Sequence, residues 1–425
     1  MRSRPGLVRF DKGSRISVRG GKMDRRGPSR GRKSFARRLA TLGTMAMVAL
    51  VALAACGEDK SPYSTLSPRS SVAEDIQGIY KLIFWLALVV FVGVQFAIVY
   101  TAVRYRRRRE DEVRPPQIHG SKTLEIVWTI IPAVVLLIIF IPTVQKMYEQ
   151  NDYAQDGDYV IEVYGKQWWW EVHYKEPQEV ATVVTANEIR VPIGKKVQIK
   201  LFSNNVIHSF YVPQLAGKLD VVPGHENILA FQADNVGTYF GECAEFCGDS
   251  HAWMRFQVIV EPQDQFDTWV AAYNAGPAGE KNDDGTTKVN TNFAAFCMFC
   301  HNVNGTNAKI AATGLDETQP AAGQPGTTQT AGPNLSLFGC RPTIGAGIMA
   351  NTPENLTAWL HDPAAIKEGA YMGISIGPGE GKTHLTDDQV NDLVNYLESL
   401  KPEGGCPVLP EGSENADVAS SIGGS

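Results

Sequence analysis

The chain has 425 residues and a formal net charge of -5, a length that leaves room for two to four domains. Residues 1–55 hold 14 Lys and Arg against only Asp11 and Asp24, which leaves 26 basic and 43 acidic residues, a balance of -17, for 56–425. A basic start ahead of an acidic body argues against a nucleic-acid-binding chain and suits an export segment followed by a solvated body.

The first predicted element is that export segment. Arg32-Lys33-Ser34-Phe35-Ala36-Arg37-Arg38 precedes an apolar run over 39–55, which ends in small residues before Cys56. A basic region, an apolar region and small residues before a cleavage point make a signal peptide. Leu53-Ala54-Ala55-Cys56 resembles the bacterial lipoprotein box, which implies lipid on Cys56 as the mature first residue. Residues 1–31 are long and polar for such a leader, and Met23 offers an alternative start.

Two further apolar runs, 82–103 and 126–144, carry no charge. Each is long enough to cross a hydrocarbon core of about 30 Å, and Pro132 and Pro142 are tolerated in membrane helices. The cluster Arg104-Tyr105-Arg106-Arg107-Arg108-Arg109 between them places the connecting loop in the cytoplasm and both flanks outside. Two helices cannot form an ion path alone, so they read as a hairpin that docks on a larger membrane partner. Glu125 stands at the cytoplasmic edge of the second run, either as a helix-end acid facing water or as part of a proton path.

From Tyr159 the pattern shortens to alternating segments, as in 160–164, 197–202 and 256–260, with turn residues between them. This predicts an all-β sandwich over 158–262. Its chemistry lies in Cys243-Ala244-Glu245-Phe246-Cys247-Gly248-Asp249-Ser250-His251-Ala252-Trp253-Met254, with His208 upstream. Two thiols, two imidazoles and a thioether form a soft donor set that favours copper. A disulfide between Cys243 and Cys247 would leave His208, His251 and Met254 as coincidences, and structural zinc would not need Met254. A Cys, His and Met loop beside a distant His is the layout of cupredoxins, and the second cysteine separates a two-copper site from a one-copper site.

Residues 263–290, with Ala275-Gly276-Pro277-Ala278-Gly279, read as a polar, Gly-rich linker. Cys297-Met298-Phe299-Cys300-His301 then matches the attachment motif for c-type haem, in which two sulfurs bond the porphyrin edge and the histidine reaches the iron. A sixth ligand is usually Met. Met349 and Met372 are candidates, Met298 lies inside the attachment loop, and His361 competes. A capping box at Thr386 and Gln389 opens a terminal helix with an apolar stripe of Leu393, Val394, Leu397 and Leu400. Outside the cytoplasm, Cys340 and Cys406 are candidates for a disulfide.

Residues 74–262 resemble subunit II of cytochrome c oxidase, on the motif Cys-x-Glu-x-Cys-x-x-x-His-x-x-Met and on Gly165-Lys166-Gln167-Trp168-Trp169-Trp170. The resemblance implies a dinuclear CuA centre on His208, Cys243, Cys247, His251 and Met254, completed by the Glu245 carbonyl. It further implies that the Glu245 side chain reaches a magnesium shared with subunit I. Trp168 would then be the point where electrons come in, and Glu125 the acid at the mouth of a proton channel. Core packing is the plainer reading of the tryptophans, and strand alternation sets Trp169 opposite the other two. The stretch 359–372 and Gly332-Pro333-Asn334-Leu335 resemble class I cytochromes c, which implies Met372 as the haem ligand, although Gly373 follows where that family usually has proline.

The expected fold is a multidomain membrane protein with a two-helix transmembrane hairpin, an all-β cupredoxin-like sandwich and an all-α class I cytochrome c domain. The expected boundaries are a signal peptide at 1–55, a lipid-anchored segment at 56–76 and the hairpin at 77–148. The sandwich follows at 158–262, the linker at 263–290, the haem domain at 291–401 and a disordered tail at 402–425. Together these resemble the caa3-type oxidases, in which a haem domain is fused to subunit II. The implied route runs from an external cytochrome c or quinol–cytochrome c reductase complex to haem c, to copper, and to a haem in subunit I that reduces oxygen with proton translocation. The implied location is the bacterial plasma membrane, with both domains on its outer face and other membrane subunits as partners. Two rivals are a nitric oxide reductase subunit of the same architecture and a free-standing copper- or haem-carrying lipoprotein. Glu125 favours oxygen reduction over the first, and the hairpin speaks against the second. A quinol oxidase subunit is excluded if the copper ligands function.

Overall fold

A computed structural model describes residues 43, 63–106, 120–176, 183–203, 205–308, 332–372 and 385–410. The export segment with Cys56, the loop with Arg107–Arg109 and His119, and residues 411–425 lie outside the described residues. Gly43 is the single described residue of the unit Met1–Glu58, and the others belong to the unit Asp59–Ser425.

Two long helices come first, α1 (Ser71–Arg104) and α2 (Lys122–Tyr153). Each opens on a serine cap: Ala73 N–H donates to Ser70 Oγ at 3.1 Å and Leu124 N–H to Ser121 Oγ at 3.5 Å, which satisfies amides that a helix start leaves free. At about 1.5 Å per residue, helices of 34 and 32 residues outrun a hydrocarbon core of about 30 Å. Polar turns therefore extend each helix beyond its apolar run. Phe84, Trp85, Phe91, Leu137 and Phe140 remain exposed, so these surfaces suit lipid or another membrane chain. At the sandwich end, Lys146 pairs with Asp75 at 3.0 Å and joins the two helices.

Ten strands form two facing sheets. The first runs β3 (Val184–Ala186), β2 (Trp169–Glu176), β1 (Tyr159–Lys166), β5 (Lys196–Ser203), β8 (Asn227–Gln232). The second runs β4 (Glu188–Pro192), β10 (Arg255–Glu261), β9 (Gly237–Cys243), β6 (His208–Tyr211), β7 (Lys218–Val221). Alternation drives the packing: Ile161 and Val163 on β1, Val197, Ile199 and Leu201 on β5, and Phe256, Val258 and Val260 on β10 all turn inward. The hairpin is bonded to this body, since Ser70 bridges Ala233 and Gln198 Nε2 donates to Ala154 O at 2.7 Å.

The segment 263–290, expected as a linker, is folded. It opens with α3 (Gln263–Ala275), whose Phe266, Trp269 and Tyr273 are buried in the sandwich core. These residues lie at i, i+3 and i+7, one face of a helix, and the tail of glycines after 275 hid that period. Beyond α3, Ala278 N–H donates to Lys401 O at 2.8 Å and Thr287 bridges both Lys281 and Thr306. These contacts sew the chain into the next domain.

That domain carries α4 (Thr291–Phe296), a two-residue ladder of β11 (Thr343–Ile344) and β12 (Met349–Ala350), α5 (Pro353–His361), α6 (Pro363–Ile366) and α7 (Asp387–Ser399). Thr386 and Gln389 cap α7 reciprocally. Val390, Leu393, Val394 and Leu397 are buried, and Tyr396 meets Phe293 of α4 with ring centroids 5.1 Å apart. Cys340 and Cys406 form a disulfide. Residues 402–410, expected as part of a disordered tail, therefore return to the domain, where Pro402 and Pro410 are buried.

Candidate metal centre and haem attachment site

Strand pairing builds the copper loop. In the β6–β9 ladder Phe210 faces Cys243, which brings His208, at the start of β6, beside the end of β9. Two backbone bonds pin the loop, Cys243 N–H to Met254 O and Ala244 N–H to Ser209 O, each at 2.9 Å. The donor atoms converge. His208 Nδ1 lies 3.8 Å from Cys243 Sγ, Cys243 Sγ lies 3.8 Å from Cys247 Sγ, and Cys247 Sγ lies 3.6 Å from His251 Nδ1 and 3.9 Å from Met254 Sδ. The carbonyl oxygen of Glu245 stands 3.2 Å from Cys243 Sγ, while the Glu245 side chain is exposed.

Outer contacts fix these groups. Asn205 Oδ1 sits 3.0 Å from His208 Nε2; with the proton on Nε2, the Nδ1 lone pair faces the sulfurs, as a ligand histidine requires. Gly165 on β1 permits the close packing, since a Cβ there would lie 2.7 Å from His208 Cδ2. His208, Cys243, Cys247 and Met254 are buried. The hydrogen bond from Cys247 holds the Cys243 thiol well below its ordinary range, with His208 adding to the effect. Sulfur, imidazole, thioether and carbonyl donors on one buried point fit copper.

At the second site, Cys297 and Cys300 follow α4 directly, and neither is in a disulfide. His301 Nδ1 lies 2.7 Å from Pro333 O. A proton shared there leaves Nε2 free to bind a metal, and burial lowers the histidine's pKa, which favours the neutral ring. A Cβ on Gly332 would lie 2.5 Å from His301 Cε1, so the stretch Gly332-Pro333 is shaped around the imidazole. Met298, Met349 and Met372 all pack against the buried cluster that contains Cys297. His361 pairs instead with Asp387 at 3.6 Å near the surface. The attachment pair, the oriented histidine and nearby thioethers fit a covalent c haem.

Trp168 is where the two domains meet. Its Nε1–H donates to Cys247 O at 3.0 Å, and its ring stacks on Tyr371 with centroids 5.9 Å apart and planes 11° off parallel. Trp168 stands in the turn between β1 and β2, outside both strands, so strand alternation does not set its direction. Trp168 and Trp170 are buried and Trp169 is half-buried. The indole therefore does not face solvent; the haem domain covers it. Lys367, buried from the same domain, donates to Trp168 O at 2.6 Å, Trp253 O at 2.9 Å and Gly345 O at 2.9 Å. Burial lowers its amine's pKa, while the three carbonyls around it favour the ammonium form. Pro333, Lys367 and Tyr371 lie in stretches that carry the cytochrome c resemblance, but their contacts with His301 and Trp168 join distant segments and did not show in the sequence. Asn205 acts locally, on His208 three residues on. Glu125 lies in the first turn of α2, apart from both sites.

Three family descriptions match the chain: cytochrome c oxidase subunit II, transmembrane domain, over 66–145; cytochrome c oxidase subunit II, periplasmic domain, over 175–261; and cytochrome c over 287–401. Together they imply copper CuA and haem c. The cytochrome c oxidase subunit 2 of Alkalihalophilus pseudofirmus is 34% identical over 318 residues, covering 72% of this chain and 82% of that protein. The cytochrome c oxidase subunit 2 of a Bacillus species is 35% identical over 371 residues, covering 84% of this chain and 96% of that protein. The quinol oxidase subunit 2 of Bacillus cereus is 31% identical over 216 residues, covering 49% of this chain and 72% of that protein.

Proposed function

Because the chain belongs to the cytochrome c oxidase subunit 2 family, we propose that it takes electrons from an external donor and passes them to the oxygen-reducing subunit of a haem–copper oxidase. The observation that carries this reading is one folded body with two sites, the converging donors of Cys243, Cys247, His208, His251 and Met254 and the attachment motif of Cys297, Cys300 and His301. Copper and haem, when bound, each take up and release single electrons. Cys297 and Cys300 would hold the haem covalently, and His301 and Met372 would be its iron ligands. Cys243, Cys247, His208, His251, Met254 and the Glu245 carbonyl would hold a dinuclear copper. The exposed Glu245 carboxylate is free to meet a magnesium at the boundary with subunit I. Glu125 serves at the mouth of a proton path of that subunit. The hairpin docks the chain on its membrane partners, with both domains on the outer face of the bacterial plasma membrane.

Purified complex, supplied in turn with reduced cytochrome c and with a quinol, tests the reading. Cytochrome c is expected to sustain oxygen uptake, with the chain's haem reduced before its copper. Turnover on quinol with haem and copper both left oxidised would overturn it.

A further inference from the structure

Lys367 is nearly solvent-free, at 4% exposure, yet among the described residues none of its hydrogen bonds goes to a carboxylate. An ammonium has three N–H donors, and each here meets a backbone carbonyl. Two of those carbonyls, Trp168 and Trp253, belong to the copper domain; the third, Gly345, belongs to the lysine's own domain. Trp253 closes the short helix His251–Trp253 just before Met254, so the lysine grips the copper loop itself. Burying a charge is costly unless every donor is matched, and a match this complete is specific to a point charge with three donors; the planar guanidinium of arginine could not reproduce it.

Neighbouring contacts lie on the same line. Ser250 Oγ donates to Glu368 O, and Arg255 N–H donates to Ala346 O at 3.1 Å. Gly369, at φ +75°, lies flat on the indole, where a Cβ would come within 2.8 Å of Trp168 Cη2. The loop then presents Tyr371 to Trp168, and the residue after Tyr371 is Met372.

We propose that Lys367 is a positioning residue that seats the haem domain on the copper loop, so that Tyr371 and Trp168 join the two centres through one fixed stacked contact. This rests on the electron-relay reading above. The chemistry is one electron leaving the reduced haem side and one arriving on the oxidised copper side, with no bond made or broken. The route on the protein runs from the Met372 segment through the Tyr371 ring and the Trp168 ring to the Nε1–H···O bond at Cys247. An external donor accordingly addresses the haem, since Trp168 is covered.

The test uses the intact subunit in its complex, with two readouts. Hydrogen exchange followed by mass spectrometry should show protected amides at 367–371 and 247–254, with faster exchange in both segments for Lys367→Met. Flash-initiated transfer from haem to copper should be independent of solvent viscosity in the wild type. In Lys367→Met it should become viscosity-dependent and about tenfold slower or more, since small misplacements of a reacting pair cost up to ~10²-fold, while the haem and copper absorption bands stay unchanged. Lys367→Arg should not rescue it. Tyr371→Leu, at a surface residue, should also slow transfer and serves if Lys367→Met does not assemble. Viscosity-dependent transfer in the wild type overturns the seated contact without any variant. Wild-type exchange and rate in Lys367→Met overturn the role of the lysine. Absence of any haem-to-copper transfer in the wild type, with both centres loaded, overturns the relay reading instead.

Discussion

At the candidate copper site, every proposed ligand side chain comes from one twelve-residue loop or the strand hydrogen-bonded beside it, and the sheet holds the loop through paired backbone bonds at Cys243 and Ala244. At the haem site, the two cysteines and His301 sit on a single turn after the six-residue α4, while Met349 and Met372 come from segments far along the chain. The sandwich positions its metal ligands as a consequence of its own fold. The second domain has short helices, a two-residue ladder and a disulfide, and a haem on Cys297 and Cys300 would be fixed there by covalent attachment. A preorganised ligand set tolerates loss of the metal with little change in fold, whereas a small core leans on its staples.

The largest expected effect is at copper. In the intact subunit, Cys247→Ser should abolish the visible charge-transfer bands and the mixed-valence resonance of a two-copper, two-thiolate site. The sandwich should still melt cooperatively, because the ladder around β6 and β9 does not involve that sulfur. Metal analysis giving one copper, or zinc, in the wild type would contradict the assignment.

Next comes the haem ligand. Met372→Ala should remove the weak near-infrared sulfur–iron band and lower the potential, because a thioether raises it. The same loss in Met349→Ala, with Met372→Ala normal, would move the ligand to β12. A third test separates the stability of the two regions. Cys406→Ser opens a loop with a sequence separation of 66 and should cost about 2–4 kcal/mol, read as a lower transition for the haem domain in denaturant. A matching loss in the copper domain's transition would mean that the two unfold as one.

The smallest effect concerns the β1–β2 hairpin. Burial disfavours the Glu171 carboxylate, but the hydrogen bond with His173 and the charge of Lys166 outweigh it and hold the carboxyl at about 2, below its ordinary 4.5. A depressed carboxyl contributes stability that is fully present above its unfolded range and is lost as pH falls toward 2. Glu171→Gln should therefore lower the melting temperature at neutral pH and flatten its fall on acidification. Parallel pH curves for the two proteins would remove Glu171 from that role.

The chemistry-bearing motifs were legible because their spacing is local. Cys243 to Met254 spans one loop, and Cys297 to His301 one turn. The membrane runs were legible because bilayer thickness sets their length. The helix α3 was readable in principle, since Phe266, Trp269 and Tyr273 keep the helical period, but the glycines after Ala275 dominated the impression of a linker. Lys367 was not readable at all. It stands between Ile366 and Glu368 in a short-residue stretch where a lysine reads as a surface residue, and contacts with the copper domain bury it. The orientation of His301 by Pro333 is likewise a tertiary fact, and that of His208 by Asn205 depends on the local turn into β6: the sequence shows a ligand type, and the fold chooses which nitrogen would face a metal.

The folded join between the domains has a kinetic consequence. A flexible tether would let the fused donor wander, with an effective concentration set by tether length. Here α3 packs in one domain and residues 278–287 are sewn into the other, so on the proposed relay the supply of electrons to the copper would be first-order. Collision between separate proteins slows when salt screens the charges that steer it. A donor already in place has no encounter to screen, so the internal step should keep its rate across ionic strength, and only the approach of the external donor to the haem should respond.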